Sequence, residues 1–297
     1  MTIVIAGGSG FLGRKLTKRF GIEGHKVIIL SRRPSGAGSE VAWLPDGNAG
    51  ALPQHLEGVD AVVNLAGENV ADKRWTTARK AALKNSRILS TRTLVRAIAA
   101  CAHRPKVFVS GSAVGYYGPH GDEPVTESTP AGSDFLARLS VEWEAEARSV
   151  ESDATRLVIV RTGLPLDRDE GALAKMLLPF RLCLGATVAS GDQFMPWIHV
   201  DDWTAMVDWL IENDRAAGVF NASAPAPVTN RTFTQTLAGV LHRPAILHAP
   251  AFALRAALGE MASMLIHGQR VLPAAAEQLG FRFTHRALGP ALESLDL

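Results

Sequence analysis

Short apolar runs alternate along the first part of the chain with longer segments that carry apolar residues at helical spacing. The runs are continuously apolar, as in TIVIA at residues 2–6, which is typical of strands buried on both faces of a parallel sheet. Repeated strand–helix–strand order predicts an α/β fold with a doubly wound parallel sheet and right-handed crossovers. The predicted strands are residues 2–6, 26–31, 61–65, 106–110, 157–161 and 218–221.

Helix start signals precede the longer segments. Thr76 and Thr77 offer caps for a helix reaching about residue 102, and Ser133 and Asp134 offer caps for one reaching about residue 150. The other predicted helices are residues 11–22, 171–183, 201–213, 231–241, 251–267 and 287–295. Because the chain becomes rich in Ala and Pro after Pro225, we predict a sheet domain (1–165 and about 201–224) and a smaller, mainly helical C-terminal substrate lobe (about 166–200 and 225–297).

The composition narrows the class of protein. The chain has 297 residues, 31 Lys+Arg, 29 Asp+Glu and a formal net charge of +2, which argues against nucleic acid or an acidic membrane surface as main partner. Two cysteines cannot form a disulfide framework, and no apolar run has the ~18 residues of a membrane span. With no basic N-terminal leader, we expect a cytoplasmic protein. Histidines and carboxylates show no metal-ligand spacing, so no metal site is predicted.

Three glycines at a spacing of three follow the predicted first strand and open the predicted first helix. In this context Gly7 allows a tight turn, Gly10 admits a pyrophosphate at the helix N-terminus, and Gly13 allows close packing of helix on sheet. The alternative is a tight turn without a ligand, which does not need three glycines. The predicted dinucleotide contacts of this loop are Gly7, Ser9, Gly10, Phe11, Leu12 and Gly13.

The end of the second predicted strand indicates which dinucleotide binds. An NAD site usually has a carboxylate about 20 residues after the glycines, but this chain has Ser31, Arg32 and Arg33 there and no acidic residue between Leu30 and Glu40. An arginine beside a hydroxyl binds a 2′-phosphate through charge-assisted hydrogen bonds. We therefore predict NADP(H), with Ser31 and Arg32 as the main contacts and Arg33 beside them. The alternative is two solvated arginines in a loop.

With these motifs the whole chain resembles the extended short-chain dehydrogenase/reductase family, which has a Rossmann-type fold. A narrower resemblance is to atypical, epimerase-like members that carry a small C-terminal domain of unknown function. It rests on NLAGENV (64–70), KNSR (84–87), AVGYYG (113–118), FMPWIH (194–199) and HGQRVLP (267–273). This resemblance implies NADP as cofactor, with Leu65, Ala66, Gly67 and Arg87 as further contacts, Arg87 reaching the phosphates.

The catalytic pair of the resembled family is missing. Active members use Tyr-x-x-x-Lys, in which the lysine lowers the pKa of the tyrosine for proton exchange. The chain has two tyrosines, neither followed by lysine at that spacing, and no lysine between Lys106 and Lys175. Where the pair is expected, the sequence has Phe135 and Leu139, which can neither carry a proton nor hold a charge.

Other groups are candidates for the missing chemistry. Ser112 stands where the family has its active-site Ser or Thr, and Tyr116 and Tyr117 follow closely; the alternative for the tyrosines is aromatic packing. His199 is either an acid/base group or a hydrogen-bonded strut. The pair Arg74-Trp75 either binds an anionic or planar substrate, or the tryptophan fills a seam between helix and sheet.

Two functions follow from these residues. The first is an NADP(H)-dependent, epimerase-like oxidoreductase that acts on a small polar metabolite by means of non-standard acid/base residues. The second is a non-catalytic NADP(H)-binding redox sensor or scaffold. The retained serine and tyrosines favour the enzyme, whereas the loss of Tyr-x-x-x-Lys favours the sensor. The sequence does not predict the oligomeric state.

Overall fold

Seven parallel strands form the central sheet in this computed structural model, which describes residues 1–36, 38–152 and 154–297. The strands of the chain are β1 (Thr2–Ala6), β2 (Lys26–Ser31), β3 (Glu40–Ala42), β4 (Ala61–Asn64), β5 (Val107–Ala113), β6 (Pro124–Val125), β7 (Arg156–Thr162), β8 (Leu164–Leu166), β9 (Ala186–Val188), β10 (Phe194–Met195), β11 (Trp197–His199), β12 (Gly218–Ala222), β13 (Val228–Thr229), β14 (Leu247–Ala249) and β15 (Arg270–Val271). The order across the central sheet is β12-β7-β5-β4-β1-β2-β3. The predicted doubly wound fold is confirmed.

Helices cover both faces of the sheet and build most of the C-terminal part. They are α1 (Phe11–Ile22), α2 (Pro53–Leu56), α3 (Thr77–Ala99), α4 (Phe135–Arg148), α5 (Gly171–Arg181), α6 (Val200–Glu212), α7 (Asn230–Val240), α8 (Ala251–Leu258), α9 (Ser263–Ile266), α10 (Ala274–Leu279) and α11 (Leu288–Glu293). Thr76 caps α3 and Asp134 caps α4, because each side chain accepts a hydrogen bond from a backbone N–H. Of each predicted pair of cap residues, one is therefore confirmed. No helix in the described part of the chain has the length and apolar character needed to cross a membrane.

The continuous apolar character of β1 reflects burial on both faces. Ile3 and Ile5 pack in one core with residues of α1 and α6, while Val4 and Ala6 pack in a second core with residues of α3. All four side chains are fully buried. The alternation of strand side chains therefore places successive apolar residues in two different cores, which is why the sequence shows no polar alternation.

A third core lies beside the sheet. It joins α5 and β11 to the helices of the C-terminal part through Leu173, Trp197, Phe233 and Leu292. Asp202 fastens the tail to α6, because its carboxylate accepts hydrogen bonds from the backbone N–H groups of Thr284 and His285 at 2.9 and 2.8 Å.

The C-terminal part differs most from the sequence prediction. One helix was expected over residues 251–267, but the chain forms α8, a 3₁₀ turn at Gly259–Ala262 and α9. Gly259 ends α8 with a positive φ of 63°, a conformation that glycine adopts without a steric penalty. The short sheet-edge strand β3 was not predicted, because three residues in a polar stretch carry no periodic signal.

Candidate cofactor and active site

The predicted site residues gather at the carboxyl ends of neighbouring strands. The glycine loop follows β1, Ser31 ends β2, Leu65 follows β4 and Ser112 lies near the end of β5. Strand order changes direction between β1 and β4, because β2 and β3 lie on one side of β1 and β4 and β5 on the other. Open α/β sheets bind ligands in the crevice at such a point.

The glycine loop is too tightly built for side chains. Gly7 has φ of +83°, and a Cβ on it would lie 2.7 Å from the backbone of Leu65. A Cβ on Gly13 would lie 2.2 Å from the carbonyl oxygen of Gly7. Gly10 precedes α1 without a side-chain cap, and the first turn of α1 holds no acidic residue. The helix N-terminus therefore keeps N–H groups available for a phosphate.

Replacing Gly13 by alanine is expected to lower the free energy of unfolding by about 1–3 kcal/mol, because the new Cβ overlaps the Gly7 backbone. The same displacement deforms the loop, so affinity for a dinucleotide should fall as well. Gly21→Ala is a matched control on the same helix, since a Cβ there meets nothing within 4 Å. Denaturant unfolding and dinucleotide titration measure both effects; equal behaviour of the two variants contradicts the assigned role of Gly13.

The Ser31–Arg33 segment presents two exposed arginines at the end of β2. The Ser31 hydroxyl accepts the N–H of Arg33 at 3.2 Å and so fixes the turn. Neither Arg32 nor Arg33 has a carboxylate within 4.0 Å among the described residues. The carboxylate of Glu40 instead accepts the backbone N–H of Ser35. The two guanidinium groups are therefore available for an anionic ligand.

Arg87 is a half-buried cation beside the segment that follows β4. A Cβ on Gly67 would lie 3.1 Å from its guanidinium carbon, which stands 5.2 Å from the ring centre of Trp143. Burial and the nearby charge of Arg79 lower the pKa of Arg87 to about 10. None of the described carboxylates lies within ion-pair distance of it. A phosphate would supply the missing negative charge.

Behind this crevice lies a buried polar network that the sequence analysis did not identify. The Glu144 carboxylate on α4 accepts two hydrogen bonds of 2.8 Å from Arg161 on β7. The Ser112 hydroxyl donates to the same carboxylate at 2.7 Å. Burial opposes the charge of Arg161, but its bonds to Glu144 keep the arginine pKa above its ordinary value. The Ser112 proton is thus committed to Glu144, while its oxygen can still accept a hydrogen bond.

The two tyrosines differ in their surroundings. The Tyr117 hydroxyl donates to Asn221 at 2.6 Å and accepts from Arg161 at 2.9 Å, and burial raises its pKa to about 12. Tyr116 is half-buried, with its ring centre 3.3 Å from the guanidinium carbon of Arg161. Within the described ranges no hydrogen bond holds the Tyr116 hydroxyl. Tyr116 is therefore the phenol free to meet a ligand.

Phe135 and Leu139 occupy the first turns of α4 as packing residues. The Phe135 ring meets the ring of Trp75 edge-on at 5.1 Å, and the Lys80 ammonium lies 5.0 Å from the Phe135 ring centre. Leu139 is buried. The two positions of the missing catalytic pair are thus filled by packing residues whose own side chains carry no acid or base.

Two further candidates have structural contacts. His199 is 2 % exposed, accepts the backbone N–H of Asp201 as the cap of α6, and stacks on His285 at 3.8 Å. These contacts support the hydrogen-bonded strut rather than the acid/base group, and His199 itself caps α6, while Asp201 and Asp202 lie in its first turn. Trp75 donates to the carbonyl of Val70, and Arg74 donates to the carbonyl of Ala256 on α8.

Comparison with known proteins gives two family matches. Residues 3–223 match the model of the NAD dependent epimerase/dehydratase family, and residues 249–295 match a domain of unknown function, DUF1731. The chain is 40% identical over 292 residues to the epimerase family protein Mb2239 of Mycobacterium bovis, covering 98% of this chain and 96% of that protein. The family resemblance inferred from the motifs is confirmed.

Two solved structures superpose on nearly the whole of this chain. The human epimerase family protein SDR39U1, crystallised with NADPH, superposes with a TM-score of 0.93 at 36% identity, covering 99% of each chain. A nucleoside-diphosphate sugar epimerase from Corynebacterium glutamicum superposes with a TM-score of 0.82 at 31% identity, covering 99% of this chain and 58% of that one.

Proposed function

Because this chain belongs to the NAD dependent epimerase/dehydratase family, we propose that it is an NADP(H)-dependent oxidoreductase acting on a small polar metabolite. The observation that carries the proposal is the free phenol of Tyr116 held against the buried Arg161–Glu144 pair at the same sheet edge as the glycine loop. A site for dinucleotide and a group for proton exchange thus share one crevice.

NADP(H) fits the residues at the sheet edge. The loop around Gly7 and Gly13 admits only backbone, and the uncapped start of α1 receives a pyrophosphate. Arg87 contributes charge toward the phosphates, while Ser31 and Arg32 select the 2′-phosphate, with Arg33 beside them. The other contacts that we assign are Ser9, Gly10, Phe11, Leu12, Leu65, Ala66 and Gly67. The NADPH complex of the human relative supports this choice.

The proton for the reaction comes from a side chain of the protein. When bound, NADPH supplies a hydride to a substrate carbonyl. The Tyr116 hydroxyl gives the proton to the carbonyl oxygen, because its own proton is not committed to another residue. Ser112 accepts a hydrogen bond from a substrate hydroxyl, since its proton is held by Glu144. Glu144 fixes Arg161 against the Tyr116 ring, and Tyr117 supports Arg161 from the other side without exchanging protons itself.

The second candidate is a redox sensor that binds NADP(H) without turnover. It is favoured by the aromatic cluster of Phe135 and Trp75, which replaces the catalytic pair of the family. In that case the crevice reports the redox state of the dinucleotide, and the C-terminal lobe presents the bound state to a partner. The two candidates predict the same dinucleotide affinity and differ in turnover.

Exchanging Arg32 for glutamate is expected to reduce the preference for NADPH over NADH by roughly tenfold to a hundredfold, because a charge-assisted bond worth about 1.5–3 kcal/mol is replaced by repulsion. Dissociation constants for both dinucleotides give the ratio directly. Arg181→Glu, which alters an exposed arginine at the end of α5, is the matched control. An unchanged ratio of the two dissociation constants in Arg32→Glu contradicts the assignment of Arg32 to the 2′-phosphate.

Turnover is tested by following NADPH oxidation with a panel of small polar carbonyl compounds. We expect at least one compound to be reduced at a rate that depends on protein concentration. Ser112→Ala should bind NADPH normally and lose affinity for the substrate, because it removes the substrate contact and the hydrogen bond to Glu144 but none of the contacts assigned to the dinucleotide. Normal NADPH binding with no oxidation across the panel favours the sensor.

A further inference from the structure

A histidine and two carboxylates meet at the end of the sheet opposite the dinucleotide crevice. His25 lies directly before β2, while Asp208 and Glu212 stand one turn apart on α6. One ligand atom from each of the three residues can be chosen so that all lie within 4.8 Å of one another. Sequence spacing gave no sign of this group, because folding brings together positions that are more than 180 residues apart.

Two of these atoms are buried without a hydrogen bond. Nε2 of His25 and Oδ1 of Asp208 have no hydrogen-bond partner in the part of the chain that the structure describes. The Asp208 side chain is only 8 % exposed. The two atoms lie 3.9 Å apart, which is too far for a hydrogen bond. Buried polar atoms left unpaired cost free energy, so an additional group between them is expected.

The surrounding contacts leave Nε2 of His25 and Oδ1 of Asp208 facing each other. Arg19 on α1 donates to Oδ2 of Asp208 through Nε at 3.0 Å, and its Nη2 lies 2.9 Å from the same oxygen, which leaves Oδ1 to face His25. Nδ1 of His25 lies 3.3 Å from the amino group of Met1. When Nε2 binds an ion, the ring proton is on Nδ1 and the Met1 group accepts it as a neutral amine; such a contact orients the imidazole in a metal site.

Access and ligand type suit a cation. Glu23, Asp208 and Glu212 supply three carboxylates, which balance the guanidinium groups of Arg19 and Arg282 and the amino group of Met1 nearby. Glu212 is exposed and lines a surface depression together with Asp208, which provides an entry path. At Zn–N and Zn–O lengths of about 2.0–2.2 Å, two ligands of one ion stand roughly 3–4 Å apart, which matches the gap between His25 and Asp208.

We propose that His25, Asp208 and Glu212 bind a divalent transition-metal ion of the zinc type. One imidazole and two carboxylates are ligands that Zn²⁺ accepts, with water completing the coordination. The ion ties α6 to the turn between α1 and β2. Because this turn lies at the amino end of β2 and the dinucleotide crevice at the carboxyl ends of the strands, the ion stabilises the fold and takes no part in hydride transfer.

The test is calorimetric titration of chelator-treated protein with Zn²⁺. We expect one site in the wild type, weakened at least about tenfold in His25→Ala and in Glu212→Gln. Glu212 is exposed, so its variant should fold even if His25→Ala does not. Zn²⁺ at a hundredfold excess over the wild-type dissociation constant should raise the melting temperature by about 3–6 °C in the wild type and by about half as much or less in these two variants.

His285→Ala is the matched control. His285 forms a second cluster with His199 and Asp201, but both ring nitrogens of His199 already have hydrogen-bond partners, the Asp201 N–H and the Ser294 hydroxyl. Zn²⁺ binding should survive in this variant. The proposal is overturned if His25→Ala and Glu212→Gln bind Zn²⁺ like the wild type, if only His285→Ala loses the ion, or if the wild type shows no saturable site.

Discussion

Replacing Arg161 by methionine is expected to destabilise the protein by about 3–5 kcal/mol, because the substitution leaves the Glu144 carboxylate buried without its counter-charge. Glu144 and Arg161 are each less than 5 % exposed in their side chains and share two hydrogen bonds. The bond from Arg161 to Tyr117 is lost in the same variant. Denaturant unfolding at neutral pH measures the change, and a shift of the midpoint at constant slope assigns it to stability.

Arg148→Met supplies the matched control for this prediction. Arg148 approaches the same Glu144 carboxylate at 3.9 Å but is largely exposed, so its loss should cost no more than about 1 kcal/mol. The double variant Arg161→Met/Glu144→Leu should recover much of the stability lost in Arg161→Met, since no unpaired charge remains in the core. Equal destabilisation by the two arginine variants contradicts the buried-pair interpretation.

Tyr116→Phe should lower kcat by about 10²–10⁴-fold while leaving NADPH affinity unchanged, because the change removes only the hydroxyl that we assign to proton transfer. The phenylalanine ring can keep the contact with Arg161, so the fold should be preserved. Steady-state kinetics with a reducible carbonyl substrate and an NADPH titration measure the two effects separately.

Tyr117→Phe distinguishes proton transfer from packing. This hydroxyl bonds to Asn221 and Arg161, so its removal should cost about 1–3 kcal/mol of stability by leaving buried partners unpaired. The effect on kcat should be much smaller than that of Tyr116→Phe. If Tyr117→Phe lowers kcat more than Tyr116→Phe at a temperature where both are folded, the proton donor has been assigned to the wrong tyrosine.

The sheet and its first helix could be predicted because their signals are local. The predicted bounds of β1, α1 and β2 agree with the structure to the residue, since apolar runs end at glycines or charges there. The helix break at Gly259 was missed because the apolar residues on both sides keep helical spacing. Gly259 has a positive φ at this break, and a Cβ on it would lie 3.4 Å from the Arg74 guanidinium, a neighbour that the local sequence does not reveal.

The buried pair of Arg161 and Glu144 could have been predicted in part from the sequence. Arg161 ends an apolar strand, and Glu144 lies on the same helical stripe as the buried residues Ser140 and Ala147. A carboxylate on a buried stripe needs a buried cation. The sequence does not say which cation, because the partner is fixed only when α4 packs on the sheet. For the same reason the sequence did not predict the contact of His25 with Asp208, which forms only when α6 packs beside β2.

The measurement that tests the proposed function most directly is deuteride transfer. The protein is incubated with NADPH deuterated at C4, in both stereochemical forms, and with a small-metabolite extract. Mass spectrometry then searches for a product one mass unit heavier than the ordinary reduction product. We predict a labelled metabolite that appears with the wild type and is strongly reduced with Tyr116→Phe and with Ser112→Ala. Tight NADPH binding without any labelled product would contradict the enzyme and support the non-catalytic sensor.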